Sequence, residues 1–149
     1  MSFGHLAHAK PSLEVSIVTG QDADIVSFPS NTAGTAIAAG DVVAFATAAT
    51  ITEAAALALI PGSVAGTAIG IALEASTGAG EVIRVCVGGY VEGVKADAGS
   101  ALNHGDTLMA IAGGVVDLYA AGAIDPPVGV ALSDEDGSSN VTIYWFRKY

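Results

Sequence analysis

The chain has 149 residues, enough for one domain with a sizeable core. Apolar types make up 52% of it and charged types only 13%, against roughly 25% in an ordinary soluble domain. The net charge of −10 comes from 15 acidic and 5 basic residues. Nucleic acid is therefore not an expected partner: phosphate backbones need clustered Lys or Arg, and the basic residues pair only at Arg147-Lys148.

In chain order, residues 1–12 are turn-prone, with Gly4, Pro11 and two histidines, and read as an arm. The start, Met1-Ser2-Phe3-Gly4-His5, has no basic region leading into an apolar core, so a cytosolic start is expected and not a secretory signal. Leu13 to Thr19 alternates apolar and polar residues, the pattern of a half-buried strand open to exchange with a neighbour. Gly20 to Asp24 reads as a turn, Ile25 to Phe28 as a short extended piece ended by Pro29, and Ser30 to Thr35 as a loop. Asp41 to Ala46 is a strand. Thr52, followed by Glu53 and alanine and leucine positions, predicts a short helix with Thr52 as N-cap, stopping before Pro61-Gly62. Residues 54–73 carry no charge and are long enough to span a bilayer, but Pro61-Gly62-Ser63 breaks the run and the rest is mostly small, so no membrane span is expected.

Strands follow at about 68–74 and 81–87, with Glu74 to Gly80 between them, and at Val91 to Lys95. Gly99 to His104 is a turn or a single helical turn. Asp106–Ile111, Val115–Tyr119, Val128–Leu132 and Val141–Arg147 complete a chain of short strands separated by turns, the pattern of a sandwich or barrel.

The chain also repeats itself. The segment Gly70 to Val87 aligns without a gap on Gly129 to Phe146: an apolar-Gly-apolar-Ala-Leu strand, a polar loop with Gly78 or Gly137, then a second strand. Each copy is preceded by a Gly-Asp pair opening an apolar run, Gly40-Asp41-Val42-Val43 and Gly105-Asp106-Thr107-Leu108. The repeated positions are glycines and apolar residues, not reactive pairs, so they describe a scaffold.

Candidate chemistry is correspondingly thin. Asp134-Glu135-Asp136-Gly137 gathers carboxylates, but its repeat partner, Ala75-Ser76-Thr77-Gly78, has none and the spacing lacks the closing Glu of a calcium loop; it reads as a solvated hairpin loop. His104-Gly105-Asp106 resembles a catalytic pair, yet Asp41 occupies the same repeat position with no histidine before it, which makes the aspartate a turn residue bonding its own backbone. His5 and His8 lie on the arm, Glu74 and Glu92 read as isolated carboxylates, and the glycine pairs lack the lysine of a phosphate loop. Cys86 is a lone thiol expected to be buried and inert. No enzyme activity, metal or cofactor is expected.

The last strand speaks to assembly. Val141, Ile143 and Trp145 make one apolar face and Thr142, Tyr144 and Phe146 the other, so one face fits the chain's own core and the second calls for another body. Tyr144, Trp145 and Phe146 are the candidate oligomer contact, since interfaces favour aromatic residues.

Taken together, residues 40–146 resemble the tailed-phage head decoration, or capsid cement, proteins of the lambda type. The matching features are Gly40-Asp41-Val42-Val43, Gly70-Ile71-Ala72-Leu73, Val87-Gly88-Gly89-Tyr90-Val91-Glu92-Gly93-Val94-Lys95, Gly105-Asp106-Thr107-Leu108 and Pro127-Val128-Gly129-Val130-Ala131, in that order. The resemblance implies a mainly β protein with a small β-barrel or tulip-like domain over 35–149 and an N-terminal arm over 1–34. It implies a homotrimer on the outer surface of a mature head, at threefold positions, stabilising contacts between major capsid proteins, and made in the host cytoplasm. The arm residues Phe3, Leu6, Leu13, Val15 and Ile17 are the expected capsid grip. The alternative is a surface-displayed β-type module binding carbohydrate or a host surface, for which Tyr90 and Tyr119 are the spare aromatic candidates.

Overall fold

A computed structural model describes residues 23–30, 36–45, 57–59, 68–76 and 80–146, and among them every regular element is a strand. These are β1 (Asp24–Pro29), β2 (Val42–Phe45), β3 (Leu57–Leu59), β4 (Ala68–Ala72), β5 (Val82–Lys95), β6 (Thr107–Ile111), β7 (Val115–Leu118), β8 (Gly129–Ala131) and β9 (Asn140–Trp145). They pair antiparallel in the order β3-β2-β4-β5-β9-β8-β6-β7, with β1 added on β5. The fold is mainly β, a small and nearly closed barrel-like sheet.

That strand order is a palindrome, and the reason is duplication of a five-stranded unit. The first unit runs β3-β2-β4-β5-β1, and the second runs β7-β6-β8-β9-β5. β5 is shared: its first part closes the first unit, while its second part opens the next by pairing with β9. Against β5, β1 takes the place that the end of β5 takes against β9. Ser30 N donates to Glu81 O at 2.7 Å, and Ala96 N donates to Ser139 O at 2.8 Å in the equivalent position.

The registers agree. Val43 faces Leu59 on one side and Gly70 on the other, just as Leu108 faces Leu118 and Gly129. The Gly-Asp turns agree as well. Gly40 and Gly105 sit at φ of 90° and 94°, in the left-handed region that favours glycine. Asp41 Oδ2 accepts from Ala38 N at 2.6 Å, and Asp106 Oδ2 accepts from Asn103 N at 2.8 Å. Both aspartates are the turn residues that the repeat predicts. Gly70 and Gly129 lie where a Cβ would run into a neighbouring backbone carbonyl, Cys86 O and Tyr144 O respectively.

Three expectations need correction. The gapless alignment fails after the loop: Ile71 faces Cys86, but Val130 faces Tyr144, so Cys86 corresponds to Tyr144 and not to Trp145. The second hairpin is one residue shorter, and a one-residue slip moves a side chain to the opposite face of a strand. The helix expected from Thr52 is not helical where it is described: Leu57–Leu59 pairs with Phe45–Val43 as an edge strand, because sheet pairing to an apolar neighbour overrides the helix propensity of Ala and Leu. Its earlier residues lie outside the described ones. Val91–Lys95 is not a separate short strand but the continuation of β5 through Gly88-Gly89.

Burial follows the duplication. In the second unit, Leu108, Ala110, Val116, Val128, Ala131, Val141, Ile143 and Trp145 belong to one buried cluster with Val91, Val94 and Ala96. The unit curls back on itself where Ala96 bridges Val116 and Asp97 N donates to Val116 O at 2.9 Å. The equivalent face of the first unit forms its own cluster of Ile37, Val43, Ile69, Ala72, Ile83 and Val85, with Phe28 and Val87 packed against it.

Candidate functional site

Two equivalent outer faces are treated differently by the fold, and the difference defines the candidate site. Across the first unit, Val42, Ile71, Cys86 and Ile25 stand opposite one another on successive strands. Val42, Ile71 and Cys86 have no exposure, nor has Ala44, and Leu73 is 2% exposed. They join the main cluster with Val91, Val94, Ala96 and Val116 of the second unit. Polar contacts pin the same junction: Val42 N donates to Gly114 O at 2.7 Å, Lys95 N to Gly40 O at 3.0 Å, and Lys95 Nζ pairs with the buried Asp41 at 2.7 Å.

Across the second unit the same four positions are Thr107, Val130, Tyr144 and Tyr90. Thr107 is exposed and the other three are half-buried. The positions corresponding to Ala44 and Leu73 are Met109, half-buried, and Leu132, 37% exposed; Phe146 at the end of β9 is 38% exposed. Of the four first-unit positions only Ile25, on β1, is exposed, at 43%, so the Val42-Ile71-Cys86 row is sealed in the first unit while its counterpart is open in the second, where two tyrosines stand directly opposite each other. The rim is acidic. Asp117 stands opposite Met109 and bonds the Ser100 hydroxyl, while Glu92 accepts from the Tyr90 hydroxyl, and this bond chiefly holds the phenol's pKa above its ordinary value of 10.0. An apolar centre with a polar rim is the arrangement that protein contacts commonly have.

Of the residues expected at an oligomer contact, Tyr144 and Phe146 lie on this open face. Trp145 does not: at 1% exposure it is sealed in its own chain's core, its indole Nε1 finding no hydrogen-bond acceptor among the described residues. The alternation along β9 decides this, because Trp145 shares the inward face with Val141 and Ile143. The arm residues Phe3, Leu6, Leu13, Val15 and Ile17 lie outside the described residues. Sequence reasoning missed Met109, Val130 and Leu132. The repeat held the signal, since each aligns with a buried apolar residue of the first unit.

The other candidates are occupied structurally. Asp134 Oδ1 accepts from His104 N at 2.9 Å, and Asp136 Oδ1 accepts from Asn140 N at 2.9 Å and Ser138 N at 2.8 Å. The bond from Asn140, then that from Ser138, holds the Asp136 carboxyl below its ordinary value of 3.8. Glu74 Oε1 pairs with Arg84 Nε at 2.8 Å, and its Oε2 accepts from Arg84 N at 3.0 Å. Ser133 does the same service in the second unit, its hydroxyl accepting from Thr142 N at 3.0 Å. Cys86 is buried, its thiol 3.3 Å from Gly88 O. Among the described residues no three metal-ligating side chains gather, and no helix is long and apolar enough to cross a membrane.

The architecture has a counterpart among solved structures, the N base of the head fiber gp8.5 in bacteriophage phi29. The two superpose with a TM-score of 0.58 at 17% sequence identity, over 82% of this chain and 94% of that one. This chain shares the fold of a phage head-fiber base. No protein-family model matches the sequence, and no curated protein matches it. The likeness to the head-fiber base therefore rests on shape.

Proposed function

We propose that the chain is a structural protein of a phage head: a decoration protein that binds the outer surface of the mature head as a homotrimer at threefold positions and stabilises contacts between major capsid proteins. The observation that carries this reading is the match of its fold to a head-fiber base across 94% of that domain. The order of its glycine and apolar motifs, which resembles that of lambda-type decoration proteins, supports it independently. The part of the 1–34 segment that precedes β1, with Phe3, Leu6, Leu13, Val15 and Ile17, is the proposed grip on the major capsid protein, β1 itself belonging to the folded unit, and Tyr144 and Phe146 are the proposed self-contact.

The physics of the role is simple. A protein that binds only the mature shell stabilises it by mass action, in proportion to the logarithm of free concentration over the dissociation constant. An extended arm adds strand-to-edge hydrogen bonds that make little demand on sequence. Co-sedimentation of the purified protein with mature and with unexpanded heads of its phage tests the reading. Saturable binding to mature heads, together with a raised temperature of head disruption, is the expected result. Absence of binding to either form overturns it.

A further inference from the structure

We propose that the open outer face of the second unit, centred on Val130, Tyr144 and Tyr90 with Met109, Leu132 and Phe146 around them, is covered in the assembled protein by a repeat unit of a second copy of this chain. The inference rests on the reading of Tyr144 and Phe146 as a self-contact, and it specifies the remaining contact residues and the nature of the body that docks.

The argument comes from the duplication. The fold already contains one instance of this face with its central row covered, only Ile25, the counterpart of Tyr90, being exposed. Val42, Ala44, Ile71, Leu73 and Cys86 occupy the same sheet positions in the first unit, and what buries them is another unit of the same repeat. The second unit presents the same strands in the same register, with Thr107, Met109, Val130, Leu132 and Tyr144 at those positions. Four of these five are apolar or aromatic, and no charged side chain lies within the row. Leu132 and Phe146, each more than a third exposed, adjoin Val130 and Tyr144 as one patch and not as scattered single side chains.

The substitutions between the two faces also fit. Cys86 and Ile71, suited to permanent burial, give way to Tyr144 and Val130, while Val42 becomes Thr107. Tyrosine supplies large contact area while tolerating water before assembly, as a face that is wet in the free chain and dry in the assembly requires. The second copy is favoured over an unrelated partner because a repeat unit is the body that covers the equivalent row of the first unit.

Sedimentation velocity of the free protein across a concentration series, without heads, tests this directly. Wild type is expected to associate, and Tyr144→Asp and Leu132→Asp to weaken association at least tenfold. Ile124→Asp, which changes a fully exposed apolar side chain in the β7–β8 loop, is expected to leave it unchanged. A second measurement needs no variant: oxidation of Met109 by peroxide should slow as wild type associates, with added free methionine as the reference. An unchanged Met109 rate in a demonstrably associated sample overturns the proposal, as does full association of folded Tyr144→Asp. A strictly monomeric wild type that still decorates heads overturns it too while leaving head binding in place; a protein that associates through this face yet ignores heads does the reverse.

Discussion

At the scale of single residues, the duplication supplies matched pairs whose environments differ, which makes the cost of a substitution a measure of context. Gly40 and Gly105 hold the same turn with the same sign of φ, but a Cβ on Gly40 would meet Gly93 O at 2.5 Å, whereas nothing lies within 4 Å of one on Gly105. Gly105→Ala should therefore cost only the backbone strain of a left-handed alanine, about 1–2 kcal/mol. Gly40→Ala should cost clearly more, about 3 kcal/mol or above, because the neighbouring β5 backbone must also move. Urea unfolding of the two variants side by side checks the ordering.

Asp136 makes a prediction about pH. Its carboxyl is held below the ordinary 3.8 by bonds from Asn140 and Ser138 that favour the charged form. A depressed folded-state pKa gives stability that is present above the unfolded value and lost as pH falls through the folded one. Wild type should thus lose stability as pH falls below about 4. Asp136→Asn keeps an acceptor oxygen but cannot titrate, so its acid limb should be flatter. Thermal melts from pH 5 to pH 2 measure the difference.

Among the elements, β1 and β5 decide most. Among the described residues β1 pairs with β5 alone, from Asp24↔Gly88 to Pro29↔Val82, and it brings Phe28 to the first unit's cluster, edge-on to Phe45 with ring centroids 5.5 Å apart. Removing residues 2–29 should lower the melting temperature by about 10 °C or more, since it strips a strand and a large apolar side chain from a chain of this size. Removing residues 2–12 alone should leave the melting temperature of the free protein nearly unchanged, as the proposed arm contributes to docking and not to the fold. Differential scanning calorimetry of the two truncations separates the strand from the arm.

For the whole molecule, two units joined through a shared strand explain why one chain offers a sealed face and an open one. The first unit's row is closed by the second unit, and the second unit's open face is the proposed contact for a further copy. If the arm grips the capsid, the 2–12 truncation should also show sharply reduced occupancy on mature heads, because ordering the arm costs roughly 1–2 kcal/mol per residue that only contact with the shell offsets. Undiminished occupancy of the truncated protein would assign the grip to the folded unit instead. Quantitative electrophoresis of purified decorated heads gives the answer.

The sequence by itself determined the class of fold and most of the strands. Alternation marks β9, Gly-Asp pairs mark the entries to β2 and β6, and the recurrence of Gly70-Ile71-Ala72-Leu73 as Gly129-Val130-Ala131-Leu132 exposes the duplication. These are local signals: pleat, turn geometry and close backbone approach each leave a fixed residue type at a fixed place. What only the tertiary structure decided is which equivalent residues meet. The one-residue difference between the two hairpins makes Cys86 the counterpart of Tyr144, so a position sealed in the first unit corresponds to one on the open face of the second. The merging of two strands into β5, and the conversion of the Leu57–Leu59 segment from expected helix to strand, are likewise set by partners distant in sequence. Burial is a property of what packs on a face, and two copies of one strand pattern carry no mark of which will find a cover within the chain.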